Sequence, residues 1–211
     1  KLYDEIKKVC GNLKLSEADT ADSSSDKRIV ISIYGGSGSG KTTIAAALQQ
    51  YFLNDNTACY VLTGDNYPHR IPMRNNESGE DGLRGYLGTP KEIDFDRINK
   101  ELSEFKEGKD IIEIKHMGRE DGDISYDETD FTGIKVLILE WTHGGSEYLK
   151  GVDIPVFLES SPEETKARRI KRGRDENAAS PFICRVVELE QEKLDLQSKN
   201  ARIVVGKVYE Q

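Results

Sequence analysis

Apolar residues recur along the chain with two different periods, and their alternation predicts the elements. Leu2, Ile6, Val9 and Leu13 fall on one face at helical spacing, so residues 1–15 predict a short amphipathic helix. Ser16 to Lys27 is polar and serine-rich and predicts a linker. From Arg28 onward strand-like and helix-like runs alternate. Ile29–Tyr34 predicts an apolar strand, Lys41–Leu53 a helix rich in alanine and leucine, and Cys59–Thr63 a second strand. Glu92–Lys106 places Ile93, Phe95, Ile98, Leu102 and Phe105 on one helical face, and Gly108 supplies the stop. Ile111–Ile114 predicts a strand, the acidic stretch Arg119–Asp130 a hairpin or loop, Val136–Trp141 a buried central strand, and Ile154–Leu158 another. Ser161-Pro162 and Ser180-Pro181 each set a capping serine before a proline at the first helical position, and the second opens a long helix to about Ser198. Ala201–Val205 predicts the closing strand. No internal repeat is present. Such alternation is what a doubly wound parallel sheet requires. The expected fold is a three-layer α/β/α domain over 28–211, with a five-stranded parallel sheet, preceded by a helix and linker over 1–27.

With 211 residues the chain is long enough for one ordinary α/β domain, even at 36% hydrophobic and 32% charged residues. The net charge of −8 argues against nucleic acid or an anionic membrane as the main partner. Any anion site must therefore gather its basic residues locally. Cys10, Cys59 and Cys184 are far apart with no CxxC spacing, which is the usage of idle thiols in a reducing cytoplasm. No apolar run approaches the roughly 20 residues that span a bilayer. There is no signal-peptide pattern, and because the chain starts at Lys1 a preceding segment stays open.

One segment changes the picture from fold to chemistry. Gly35-Gly36-Ser37-Gly38-Ser39-Gly40-Lys41-Thr42 matches G-x-x-x-x-G-K-[ST], the Walker A or P-loop pattern, between a predicted strand and a predicted helix. Glycines let successive backbone N–H groups turn toward phosphate oxygens, and the first helical turn adds unpaired N–H groups and the positive end of its dipole. Lys41 is a point charge for the β- and γ-phosphates, Thr42 the expected Mg²⁺ ligand, and Thr43 reaches the α-phosphate. A glycine turn merely joining strand to helix has no need of a lysine and two threonines. ATP and Mg²⁺ are the expected cofactors.

A P-loop alone does not separate a kinase from a switch or a motor. The Asn-Lys-x-Asp element of guanine-specific switches is absent. After the second predicted strand comes Thr63-Gly64-Asp65-Asn66-Tyr67, which puts Asp65 at the carboxyl end of a strand, where open α/β sheets bind ligands. Such a carboxylate can take the proton of an attacking hydroxyl or hold the metal's water shell, although Gly-Asp-Asn is also ordinary turn chemistry. Glu140 ends an apolar strand, where an unpaired carboxylate is costly. It is expected to meet Mg²⁺ through water or a substrate hydroxyl, with a salt bridge to an arginine as the alternative. The polar stretch Arg74–Gly88 reads equally as a substrate-covering loop or a surface insertion.

Beyond the P-loop the chain resembles a known family. Glu92-Ile93-Asp94-Phe95-Asp96, followed by Leu102 and Phe105-Lys106-Glu107-Gly108-Lys109, resembles the Phe-Asp plus LxxLKxGK stretch of the uridine kinase and phosphoribulokinase family. Val136–Glu140 is similar to that family's strand ending in glutamate, and Ala167-Arg168-Arg169-Ile170 with Arg172-Gly173-Arg174-Asp175 to its arginine-rich lid. These matches run in order from about 28 to 206. The resemblance implies that Asp65 is the catalytic aspartate and that Asp96 holds substrate hydroxyls. It also implies that Arg169 and Arg172 stabilise the transferring phosphoryl group, that Arg168 contacts the nucleotide, and that Arg174 contacts substrate. Four arginines within seven residues are otherwise read as a solvated helix face.

Two stretches depart from that pattern. The family's Pro-x-Tyr-Asp stretch, which contacts base and ribose, is replaced by Ile114-Lys115-His116-Met117-Gly118-Arg119. His116 and Arg119 are therefore candidates for reading a different acceptor, a structural or surface role being the other reading of His116. Trp141-Thr142-His143 stands where a glycine usually follows the strand-end glutamate. Leu62–Arg70 is also similar to the Asp-Gly-Asp-Asn-x-x-His stretch of adenylylsulfate kinases, which makes Arg70, Arg74 and Arg84 candidates for an anionic substrate.

The expected activity is ATP-dependent phosphoryl transfer to a hydroxyl of a nucleoside, sugar or sugar acid. The rivals are an adenylylsulfate kinase-like enzyme, a P-loop switch or hydrolase without an acceptor, and a binding module that has lost catalysis. The expected partner is the small-molecule acceptor, without nucleic acid or membrane; a homo-oligomer is compatible with the sequence and not required by it.

Overall fold

The computed structural model describes residues 1–12, 27–69, 80–118, 123–161, 165 and 181–206. Strand β1 (Ile29–Gly35) is buried at every position. That follows from its place in the middle of a parallel sheet, where both faces are covered; its one serine, Ser32, donates to Gly144 O at 2.7 Å. Strands β2 (Cys59–Thr63), β5 (Val136–Glu140), β6 (Ile154–Leu158) and β7 (Ile203–Val205) complete the sheet in the order β2-β5-β1-β6-β7. All four pairings are parallel.

Each side of the sheet carries its own core. Ile29, Ile31 and Ile33 face α2 (Lys41–Asn54) through Ala45, Leu48 and Phe52, and Ile6 of α1 (Leu2–Asn12) joins the same cluster. Val30, Leu137 and Leu139 face the opposite way, onto Phe95, Ile98, Leu102 and Phe105 of α4 (Phe95–Lys106). A third helix, α3 (Glu80–Tyr86), packs Leu83 and Tyr86 on Val186 and Leu189 of α5 (Pro181–Gln197). The result is the expected three-layer α/β/α arrangement.

Several boundaries differ from the sequence expectation. Helix α4 begins at Phe95 rather than Glu92, because Asp94 takes a non-helical conformation and its carboxylate accepts the Arg97 N–H at 3.1 Å as the N-cap. The buried Glu92 side chain accepts instead from the Gly88 N–H at 2.6 Å, which holds the preceding loop. Strand β3 runs over Ile111–Met117 and pairs antiparallel with β4 (Ile124–Asp130), outside the main sheet. Residues 124–130 of the acidic stretch are thus a strand returning antiparallel along β3. Strand β5 ends at Glu140, one residue before Trp141, and the last strand is shortened to three residues. Residues 13–26 of the expected helix end and linker lie outside the described residues. The helix expected after Ser161 does so as well, apart from Thr165, whose N–H donates to Ser161 O at 3.1 Å.

Arg28 locks this second layer to the sheet. Its buried guanidinium donates to the carbonyls of Lys109 at 2.6 Å and Phe131 at 3.1 Å and to Asp110 at 3.2 Å. A cation at the carboxyl end of α4 also meets the negative end of that helix's dipole. Among the described residues no helix is long and apolar enough to cross a membrane.

Candidate active site

Strand register assembles the site before any side chain is considered. Glu140, the last residue of β5, stands opposite Ile33 of β1 on one side and Thr63 of β2 on the other. β1 runs two residues further into the glycine loop and α2, while β2 runs directly into the turn that carries Asp65. The loop, Glu140 and Asp65 therefore share the carboxyl edge of three adjacent strands.

The loop from Gly35 to Gly40 has the geometry of an anion nest. Gly38 and Gly40 take φ of 90° and 99°, which only glycine adopts without strain and which turns successive amides to one side. The Lys41 ammonium folds back over this loop and donates to the carbonyls of Gly35 at 3.1 Å and Gly36 at 3.0 Å. Ser37 is exposed, Ser39 Oγ is buried without a hydrogen-bond partner, and Thr43 is exposed on the first turn of α2. Thr42 Oγ1 donates to Glu140 Oε2 at 2.9 Å. The partner of the strand-end carboxylate is thus the very hydroxyl expected to hold a cation with it. A hydroxyl and a carboxylate at the mouth of a phosphate nest are hard oxygen donors, which suit Mg²⁺.

Asp65 lies in a single 3-10 turn (Gly64–Asn66) whose cap is Thr63, with Oγ1 accepting the Asp65 N–H at 3.4 Å. The turn follows β2 directly, and in it the Asp65 side chain is exposed while its backbone is held. Gly64 lies flat against Trp141: a Cβ there would sit 1.9 Å from the indole Cγ. The Tyr67 N–H closes the turn on Gly64 O at 3.2 Å, and Asn66 Oδ1 accepts the Met117 N–H of β3 at 3.3 Å.

Among the residues expected to meet the acceptor, Asp96 is exposed in the first turn of α4, beside the cap residue Asp94. Phe95 brings that helix end to the same edge by packing on Trp141, with ring centroids 5.7 Å apart. His116 is 41% exposed on β3, its Nε2 lying 3.8 Å from Asp127 Oδ2 of the return strand. Arg119, Arg168, Arg169, Arg172 and Arg174 lie outside the described residues, as do Arg70 and Arg74. Arg84 pairs with Glu192 of α5, an interhelical contact distant in sequence from the glycine loop.

Sequence reasoning missed a buried polar cluster beneath these segments. Glu101 accepts from the Tyr67 hydroxyl, from Arg97 Nε at 2.6 Å and from the Lys115 backbone N–H at 3.1 Å. Burial pushes the Glu101 carboxyl above the usual carboxylate range despite these donors, and burial raises the Tyr67 phenol as well. The available signal was Arg97 and Glu101 at i, i+4, with Glu101 directly beside core residue Leu102.

Comparison with known proteins agrees with this geometry. Residues 30–209 match the family model described as Phosphoribulokinase / Uridine kinase family. The chain is 66% identical over 222 residues to the bifunctional alpha-galactosidase/sucrose kinase AgaSK of Mediterraneibacter gnavus, covering 100% of this chain but only 23% of that protein. It is 30% identical over 158 residues to a uridine kinase of Brevibacillus brevis, covering 72% of this chain and 69% of that one. Among solved structures, one titled as a possible uridine kinase from Bacillus stearothermophilus superposes with a TM-score of 0.66 at 18% identity, over 96% of this chain and 98% of that chain. The chain belongs to the phosphoribulokinase and uridine kinase family, P-loop phosphotransferases that act on a hydroxyl group.

Proposed function

We propose that this chain transfers the γ-phosphoryl group of Mg·ATP to a hydroxyl of a saccharide, with sucrose as the first acceptor to test. The observation that carries the reading is the register that sets Glu140 between the strand entering the glycine loop and the strand entering the Asp65 turn. Donor and acceptor machinery would then sit on the two strands that flank β5, and positioning is most of what phosphoryl transfer needs from a protein. The saccharide choice is supported by 66% identity to a protein named as a sucrose kinase, of which this chain spans 23%. Replacement of the family's base- and ribose-contacting stretch by residues 114–119 points away from a nucleoside.

Each residue then has a defined task. The amides of residues 35–40 and the Lys41 ammonium hold the phosphates. Thr42 and Glu140 would hold Mg²⁺, directly and through water; when bound, the ion neutralises charge on the phosphate oxygens. Asp65 accepts the proton of the acceptor hydroxyl as its oxygen bonds to phosphorus and the bond to the ADP oxygen breaks. Asp96 orients that hydroxyl. Arg169 and Arg172 stabilise the transferring group, Arg168 contacts the nucleotide and Arg174 the substrate, while His116 and Arg119 read the remainder of the acceptor.

A coupled ADP-release assay against sucrose, glucose, glycerate, uridine and adenylylsulfate tests this. Turnover that depends on sucrose is expected. Equal ADP release with no acceptor present overturns the kinase reading, and selective turnover of uridine or adenylylsulfate overturns the saccharide.

A further inference from the structure

Three separate segments carry the groups assigned above to the acceptor: the turn with Asp65, the first turn of α4 with Asp96, and the end of β3 with His116. A single buried ammonium joins all three. Lys115, 2% exposed, sits on β3 next to His116, and its Nζ donates to Pro68 O at 3.1 Å and lies 3.6 Å from Asp94 Oδ2. Pro68 follows the Asp65 turn by two residues, and Asp94 is the N-cap of α4. A second layer repeats the connection. Glu101 of α4, also 2% exposed, takes the hydroxyl of Tyr67 and the backbone N–H of Lys115. The chain around Tyr67 is tied to α4 once more by the Asp94 N–H, which donates to Tyr67 O at 2.8 Å.

Stability does not explain this cluster. Taking an ammonium and a carboxylate out of water costs about as much as their attraction returns, and apolar replacements of similar volume are often neutral or stabilising. What the ammonium does supply is direction. A carbonyl and a carboxylate from two different segments must both approach one nitrogen, which fixes their separation in a way that apolar packing does not. Asp94 is held from both sides, since its other carboxylate oxygen caps α4 through the Arg97 N–H.

We propose that Lys115 is a positioning residue for the acceptor: its ammonium sets the spacing between the Asp65 turn and the N-terminus of α4, and with it the seat of the acceptor hydroxyl between Asp65 and Asp96. This rests on the acceptor-side reading of those two aspartates given above.

Two variants test it. Lys115→Met keeps an unbranched chain of similar length and removes the charge. Asp94→Asn keeps the helix cap, because asparagine caps as well as aspartate, and removes only the carboxylate partner. Steady-state kinetics with sucrose and ATP are measured beside ATP affinity by calorimetry and the melting temperature. Misplacement of a reacting group by about 1 Å costs roughly 10²-fold. Lys115→Met is therefore expected to lose about that factor in kcat/KM for the acceptor, and Asp94→Asn a smaller one. ATP affinity should stay within about twofold, while the melting temperature falls, because removing one member of a buried pair leaves the other uncompensated. Unchanged acceptor kinetics in folded Lys115→Met, or a parallel loss of ATP affinity, overturns the proposal; should that variant not fold, Asp94→Asn decides. If the wild-type protein phosphorylates no acceptor, the functional reading fails separately. The positioning claim is then decided by Trp141, the single tryptophan, which packs on Gly64, Tyr67 and Phe95. Altered emission and acrylamide quenching in both variants supports it, and wild-type values in both overturn it.

Discussion

Thr42 and Glu140 are 98 residues apart in the chain, yet Thr42 Oγ1 donates to Glu140 Oε2 at 2.9 Å. The contact joins the first turn of α2 to the last residue of β5, at the point where the glycine loop opens. A carboxylate at the end of a buried strand is thereby satisfied, and the proposed Mg²⁺ site would draw on the same two oxygens.

Glu140→Gln keeps the size of the side chain and an oxygen to accept from Thr42, but removes the charge. Loss of a carboxylate beside a metal typically costs about 10–100-fold in metal affinity or activity. The expected outcome is a raised Mg²⁺ requirement in the transfer assay, with metal-free ATP affinity by calorimetry unchanged. An unaltered Mg²⁺ titration would remove Glu140 from the metal site.

Asp65 and Lys41 should separate by assay. Asp65→Asn is expected to cut the transfer rate by about 10²–10⁴, the usual worth of a general base, while ATP binds as before. Lys41→Ala should instead weaken ATP itself by about 1.5–3 kcal/mol, the range for hydrogen bonds to charged groups. Calorimetry on both variants distinguishes them, and equal ATP affinity in Lys41→Ala would count against the phosphate cradle.

The fit of Gly64 against Trp141 leaves no room for a methyl group, with the added carbon 1.9 Å from the ring. Gly64→Ala must therefore move the indole or the Asp65 turn. Overpacking of this kind costs about 1–3 kcal/mol, which for a chain of this size lowers Tm by roughly 2–4 °C per kcal/mol. Thermal melts should show that loss together with a shift in tryptophan emission, and a wild-type melt would mean the contact is slack.

Glu101 gives stability a definite pH slope. Burial raises its carboxyl above the unfolded value of 4.5, so between those two values the folded state binds more protons than the unfolded state. Stability from this group is then greatest at low pH and falls as pH rises through the unfolded value toward the raised one. Glu101→Gln removes the slope: denaturant midpoints measured from pH 4 to 7 should show wild type losing ground to the variant as pH increases. A constant difference across that range would contradict it.

Much of the protein was legible because the responsible interactions are local. The run Ile29–Tyr34 reads as a strand from its apolar character, interrupted only by Ser32, and the glycine pattern of 35–42 reads as a phosphate cradle because glycine opens backbone conformations closed to other residues. Even the start of α5 at Pro181 follows from a serine and proline in sequence. By contrast, the Glu92 periodicity overran the true start of α4, since Asp94 competes for the backbone as a cap and periodicity does not register that competition.

What the sequence determined by itself was the kind of chemistry: the order of the sheet strands, though not helix α3 within the polar stretch 74–88, the cradle for phosphate, and a carboxylate at a strand end. What only the tertiary structure decided was which groups meet. Strands β3 and β4 paired outside the main sheet, Glu140 met Thr42, and Lys115 buried its ammonium between Pro68 and Asp94. The physical reason is that a buried charge must be matched by whichever partner the packed layers bring within reach. That choice depends on the register of strands and the approach of helices far apart in sequence, and no local pattern carries it.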